Sequence, residues 1–239
     1  MSWEIVMVIA GVIGTIAFAV SGALVAIENK LDLFGVIILG CVTACGGGLF
    51  RDLILNININ MFEEPWYCGI AALVSVLVFV VMYFWKSLSF EDSKGYQIFY
   101  NVIDSIGLGA FVVTGALTSI NAGATDIFPV VFFAVLTACG GGLLRDMMVM
   151  KIPAIFRKHI YAVASIVGGL YFYFLNYLNV SYGITSTTTV ILVVIIRYLA
   201  FHFKLSLPKV SIKEWNNFFV KVWSKSCFIF LKRIFIYNI

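Results

Sequence analysis

The sequence predicts an all-α membrane protein with seven transmembrane helices, six of them arranged as two inverted three-helix repeats. Three observations predict it. Of 239 residues, 62% are hydrophobic and 12% are charged, against roughly 25% charged in soluble domains. Apolar runs of about 20 residues recur along the chain, each long enough to cross the roughly 30 Å hydrocarbon layer. A long phrase also occurs twice: Thr43-Ala44-Cys45-Gly46-Gly47-Gly48-Leu49-Phe50-Arg51-Asp52 returns as Thr137-Ala138-Cys139-Gly140-Gly141-Gly142-Leu143-Leu144-Arg145-Asp146.

The spans fall near residues 5–27, 33–55, 66–86, 98–120, 127–149, 160–180 and 184–203. The first lacks the basic lead of a secretion signal, since its only early charge is Glu4. Its apolar core also exceeds the roughly 7–15 residues of such a signal, so it is expected to stay as a helix. The second ends on the first glycine triplet and its Arg-Asp pair. The third starts at Tyr67, and the sixth starts at Tyr161 with the same spacing from the motif. The fourth carries Phe111-Val112-Val113-Thr114-Gly115-Ala116-Leu117, which matches Phe18-Ala19-Val20-Ser21-Gly22-Ala23-Leu24 of the first. Asp32 and Asp126 each lie fourteen residues before their first motif glycine. Spans one to three thus repeat as four to six, and the seventh has no counterpart. Three spans per unit is odd, so the second unit enters the membrane upside down, as in transporters built from inverted repeats.

The expected organisation is a transmembrane domain over 1–203, with repeat one at 5–86, repeat two at 98–180 and the extra helix at 184–203, followed by a basic tail over 204–239. In the tail, Trp215, Phe218, Phe219 and Val222 fall on one helical face, with lysines mostly on the other. This suits a helix lying on an anionic bilayer surface. Lys30, Lys86, Lys94, Lys151, Arg157, Lys158 and the tail share one side of the membrane, and the opposite connections contain no Lys or Arg. The N-terminus is therefore expected outside and the C-terminus in the cytoplasm. The net charge of +4 comes largely from the tail and gives no reason to expect a nucleic-acid partner. The lipid bilayer is the expected environment.

Three successive glycines are expected to interrupt the second and fifth spans near mid-depth, since glycine loosens helices. The freed backbone groups would then line a watery path, because lipid offers them no partner. Close helix packing is the alternative use of small residues. The path candidates are Gly46, Gly47, Gly48, Gly140, Gly141 and Gly142, with the hydroxyls of Ser21, Thr43, Thr114 and Thr137 at matching places. The charged intramembrane residues are Arg51, Asp52, Asp104, Arg145 and Asp146. Sequence neighbours on a helix do not face each other, so Arg51 is not expected to pair with Asp52 on its own helix. Asp104 and Arg145 lie at similar depth, roughly 7–9 Å from the same end of their spans at 1.5 Å per residue, and are expected to meet. The matching place in the first span is Gly11, which offers no acid. Arg197 and His202 are expected as interface anchors. Cys41, Cys45, Cys68, Cys139 and Cys227 show no metal-ligand spacing and read as small packing residues, with no disulfide and no metal expected. No enzyme constellation is visible. The glycine triplets lack the Gly-Lys-Ser/Thr ending of a phosphate loop, and no cofactor is expected beyond a permeating K⁺ or Na⁺.

At Phe18–Leu24, Thr43–Asp52, their second-half copies and Asp104-Ser105-Ile106-Gly107, the sequence resembles the trimeric intracellular cation (TRIC) channel family. Prokaryotic relatives of that family include proteins described as glycine transporters. The resemblance covers about residues 5–200. It implies a homotrimer, probed by no motif of its own, and a pore within each subunit lined by spans one, two, four and five. It also implies helices kinked at the glycine triplets and passage of potassium and other monovalent cations. Gly11 departs from the pattern of an acid in both halves. Two functions follow as expectations: a potassium-permeable channel, or a carrier for glycine or another small neutral amino acid. Arginines buried in structural pairs would favour the channel, and arginines facing the path would favour the carrier.

Overall fold

The fold is seen in a computed structural model that describes residues 2–84, 94–157 and 160–203. The expected tail over 204–239, with Cys227, and the expected anchors Lys86 and Lys158 lie outside the described residues. The elements are α1 (Trp3–Glu28), α2 (Leu33–Leu55), α3 (Asn60–Glu63), α4 (Trp66–Phe84), α5 (Lys94–Asn121), α6 (Ile127–Met148), α7 (Ala154–Arg157), α8 (Ile160–Tyr177) and α9 (Tyr182–His202). All but the single-turn α3 and α7 are long and apolar enough to cross a membrane. The protein is an integral, multi-pass membrane protein.

The helix ends follow local chemistry. Asp32 caps α2 by accepting from the Gly35 amide at 2.8 Å, which satisfies one orphan donor of the first turn. At the other end, Asn56 turns left-handed (φ 52°) and the Ile57 amide reaches back to the Asp52 carbonyl at 3.1 Å. The same closure ends α6, where Met150 has φ 55° and the Lys151 amide reaches the Asp146 carbonyl at 2.9 Å. These left-handed caps tie up otherwise orphaned carbonyls.

α5 sits at the centre, with 83% of its most apolar window buried, whereas α4 lies at the edge with 11%. α9 packs mainly on α5 and α8 of the second repeat, with a smaller contact to α1. The main core gathers Phe18, Phe111, Val112, Leu117, Tyr161 and Phe172. A smaller one gathers Ala23, Val36 and Leu39. The inversion shows in reciprocal contacts. Phe18 and Phe111 meet edge to face at 5.0 Å. A side chain at Gly22 would meet the Thr43 hydroxyl at 2.6 Å, and one at Gly115 would meet the Thr137 hydroxyl at 2.7 Å.

The expected interruption at the glycine triplets is corrected by the structure: α2 and α6 run as unbroken α-helix through Gly46–Gly48 and Gly140–Gly142. The magnitudes explain this. Each glycine weakens a helix by about 1 kcal/mol relative to alanine. A backbone group left unpaired in lipid costs several kcal/mol. The glycines serve close approach instead. A Cβ on Gly47 would collide with the Thr137 carbonyl oxygen, and one on Gly141 with the Thr43 carbonyl oxygen. The two helices cross backbone to backbone at their central glycines.

Candidate functional site

Each glycine helix ends in the same construction. Arg51 wraps back onto Asp52, with both Nε and Nη2 at 2.7 Å from Oδ1. The other oxygen, Oδ2, accepts from the Asn60 amide at 3.0 Å. In the second half, Arg145 Nε donates to Asp146 Oδ1 at 2.8 Å, and Asp146 Oδ2 accepts from the Ala154 amide at 2.7 Å. Each aspartate therefore joins its arginine to the first residue of the short helix eight positions on. The expectation that Arg51 does not pair with Asp52 is corrected, and Arg145 pairs with Asp146 in the same way. The facing rule concerns side chains of ordinary reach. An arginine is long enough to fold along its own helix, and a buried guanidinium gains more from a charge-assisted bond than it loses in freedom.

The surroundings of the two pairs then diverge. The contact between Asp104 and Arg145 is present, with Oδ1 to Nη1 at 3.3 Å. Ser21 from the other repeat sits between them, accepting from Arg145 Nη1 at 2.6 Å and donating to Asp104 Oδ1 at 3.1 Å. Arg197 of α9 completes the cluster, with Nη2 at 3.5 Å from Asp104 Oδ2 and its guanidinium over the Tyr161 ring at 4.6 Å. Asp104, Arg145 and Arg197 are 2%, 1% and 6% exposed, which makes this a buried ionic network. The expected role of Arg197 as an interface anchor is corrected: α9 packs on α5 and α8, so the guanidinium turns inward to Asp104. His202 lies exposed at the end of α9. Arg197 Nε and the Tyr161 hydroxyl are buried without a hydrogen-bond partner among the described residues.

In the first half, the equivalent space is a cavity of about 70 Å³. It has room for several waters. Gly11 stands where Asp104 stands in the second half. The space beside it is bounded by Tyr67, whose hydroxyl lies 2.7 Å from where a Gly11 Cβ would sit. The cavity runs from Asn60 and Met61 at the α3 end to Gly48, Thr114 and Thr137 near the helix crossing, with Arg51 and Asp52 on its wall.

The predicted path residues therefore separate. Thr114, Thr137 and Gly48 line the cavity. Ser21 belongs to the ionic cluster. Thr43 donates to the Leu39 carbonyl at 2.6 Å, Thr137 to that of Phe133 at 2.6 Å and Thr114 to that of Phe111 at 3.3 Å, each on its own helix. Gly47, Gly140 and Gly141 pack at the crossing, Gly46 packs on Leu144, and Gly142 faces the Tyr161 hydroxyl. Arg197 is the site residue that the sequence reading missed. Its signal was a lone cation well inside an apolar run, which in a membrane calls for a buried acid.

A family model described as "Glycine transporter" matches residues 8–83 and again 101–177, one match per repeat. The UPF0126 membrane protein YvgT of Bacillus subtilis is 38% identical over 90% of this chain and 100% of its own length. The UPF0126 inner membrane protein YadS of Escherichia coli is 33% identical over 85% of this chain and 95% of its own. Among solved structures, the TRIC trimeric intracellular cation channel orthologue from Rhodobacter sphaeroides superposes with a TM-score of 0.75 at 29% identity, covering 84% of this chain and 99% of that one. A chain from a structural study of conductance through TRIC cation channels gives 0.73 at 31% identity, covering 85% and 96%. The solved structures are TRIC cation channels by name and the curated relatives UPF0126 membrane proteins, and this chain belongs to the TRIC family, in the branch of UPF0126 membrane proteins that the glycine transporter model describes.

Proposed function

We propose that the protein is a potassium-permeable monovalent cation channel, with a conduction path inside each subunit between the two repeats. The observation that carries this reading is the pairing of the buried arginines. Arg51 is neutralised by Asp52, and Arg145 by Asp104 and Asp146. A path whose arginines are matched by carboxylates presents no net positive barrier to a cation. Support also comes from the cavity lined by Thr114, Thr137 and Gly48, whose hydroxyl and backbone oxygens can replace hydration. On this reading the Gly47–Gly141 crossing, where the two backbones meet, closes the path near Gly48, Thr114 and Thr137. Opening then requires α2 and α6 to part at the glycines. The path residues proposed are Gly46–Gly48, Gly140–Gly142, Ser21, Thr43, Thr114 and Thr137. We read the assembly as a homotrimer, after the trimeric name of the similar structure, with the N-terminus outside a prokaryotic plasma membrane.

A second reading, a carrier for glycine or another small neutral amino acid, is favoured by one specific observation. Arg51 lies on the cavity wall, where a guanidinium can take a carboxylate. The test is potassium flux and labelled-glycine uptake on one liposome preparation of the purified protein. Non-saturating potassium flux that needs no glycine is expected. Saturable glycine uptake with no independent potassium flux overturns the channel.

A further inference from the structure

Between α2 and α4, next to the cavity, two thiols lie in contact. Cys45 Sγ is 3.5 Å from Cys68 Sγ, and both residues are free and only partly buried. Cys41, one turn before Cys45, directs its thiol to the Cys68 carbonyl at 3.8 Å. Cys45 also lines the cavity, so a small water-borne reagent entering there can reach the pair. The second repeat has no equivalent. Cys139 matches Cys45 in the motif, but its thiol contacts the Ser165 hydroxyl at 3.5 Å, and Ala162 stands where Cys68 would.

We propose that Cys45 and Cys68 are a modification site that forms a reversible disulfide and ties α4 to α2 beside the cavity. Closing the contact to the roughly 2.05 Å of an S–S bond needs about 1.5 Å of approach. Side-chain rotation and a small shift of the peripheral α4 supply it. A peroxide is the oxidant. One sulfur attacks a peroxide oxygen and the O–O bond breaks, giving a sulfenic acid and one water. The second sulfur then attacks the sulfenic sulfur, the S–O bond breaks, and the oxygen leaves as a second water. Two thiols and one hydrogen peroxide become one disulfide and two waters, with both electrons coming from the sulfurs. Tyr67, adjacent to Cys68, holds its hydroxyl against Gly11 on the cavity wall. The bond thus fixes one wall of the cavity, and oxidation acts on passage from that side.

The test uses the full chain in liposomes, treated with hydrogen peroxide and then with dithiothreitol. Mass spectrometry of the digested protein is expected to find peptides joined through Cys45 and Cys68, released again by the reductant. Flux is expected to change by about twofold or more on oxidation and to return on reduction, as for a gating element. Cys68→Ser is expected to lose both effects and Cys41→Ser to keep both. Absence of the Cys45–Cys68 linkage in treated protein overturns the proposal. So does an unchanged flux in linked protein, or a flux change that persists in Cys68→Ser. Flux is followed with potassium and labelled glycine together. Failure of the channel reading then shows in untreated protein, apart from failure of the thiol pair.

Discussion

Arg51 and Arg145 hold the same place in their repeats and live in different company. Arg145 sits in a buried four-charge network with Asp104, Asp146 and Arg197, stitched to the other repeat through Ser21. Arg51 has Asp52 as its one ion-pair partner among the described residues, and it faces a cavity where the second half has Asp104. Two changes produce the difference. Position 11 is a glycine where the second half has Asp104, and among the described residues no helix lies on the first repeat as α9 lies on α5 and α8. An inverted repeat built this way is closed and cross-linked on one side and open to solvent-sized molecules on the other. The repeated scaffold is shared, and a glycine in place of a carboxylate leaves room on the first side.

The largest effect should come from the closed side. Among the described residues, Asp104→Ala leaves Arg197 with no acid and Arg145 with Asp146 alone. Breaking a buried ionic network by removing one partner costs about 3–5 kcal/mol. The expected outcome is a sharp fall in folded yield and thermal stability in detergent. Arg197→Leu added to Asp104→Ala should recover part of the loss, because it removes the stranded charge. Equal instability of the single and double variants would show that the network is not what holds α9 to α5.

Next in size is the clamp that both halves share. Asp52→Asn weakens charge-assisted bonds to Arg51 and to the Asn60 amide, each worth about 1.5–3 kcal/mol. Asp146→Asn weakens the matching bonds to Arg145 and Ala154. Arg145 keeps Asp104, so Asp146→Asn should be the milder change, with the difference appearing as faster amide exchange in α3 than in α7. Equal exchange in the two short helices would mean that Asp104 does not compensate Arg145.

Much of this molecule could be read in its sequence, and the unread parts share a physical cause. The seven spans were legible because the bilayer sets their length, and the inversion because the motif and its flanks repeat after an odd number of spans. The contact of Asp104 with Arg145 followed from depth alone. Three features did not follow. The unbroken glycine helices depend on what sits opposite Gly47 and Gly141, and those partners, the Thr43 and Thr137 carbonyls, are backbone groups that leave no mark on composition. The pairing of Arg51 with Asp52 and Arg145 with Asp146 depends on side-chain reach, which a rule about facing Cβ positions ignores. Arg197 needed a knowledge of which way α9 turns its polar residue, and only packing against α5 and α8 decides that.

Smaller changes test the crossing itself. Gly47→Ala and Gly141→Ala each put a methyl group against a carbonyl oxygen of the opposite helix. Overpacking of this kind costs about 1–3 kcal/mol. The two variants should be destabilised alike in thermal unfolding, because the contacts are reciprocal. A tolerated substitution at either position would break the symmetry that the inverted repeat imposes.

The smallest effect on stability should fall on Gly48, and it separates packing from passage. A Cβ there meets only the Arg51 guanidinium, at 3.7 Å, an ordinary contact. Alanine also favours a helix over glycine by about 1 kcal/mol. Gly48→Ala should therefore unfold at the same temperature as the parent or slightly higher. Gly48 lines the cavity, however, and an added methyl narrows the space that a cation or substrate must cross. Flux should fall while stability holds. A variant as active as the parent would move the path away from Gly48 and leave the first triplet a packing device alone, since Gly46 and Gly47 already touch Leu144 and the opposite backbone.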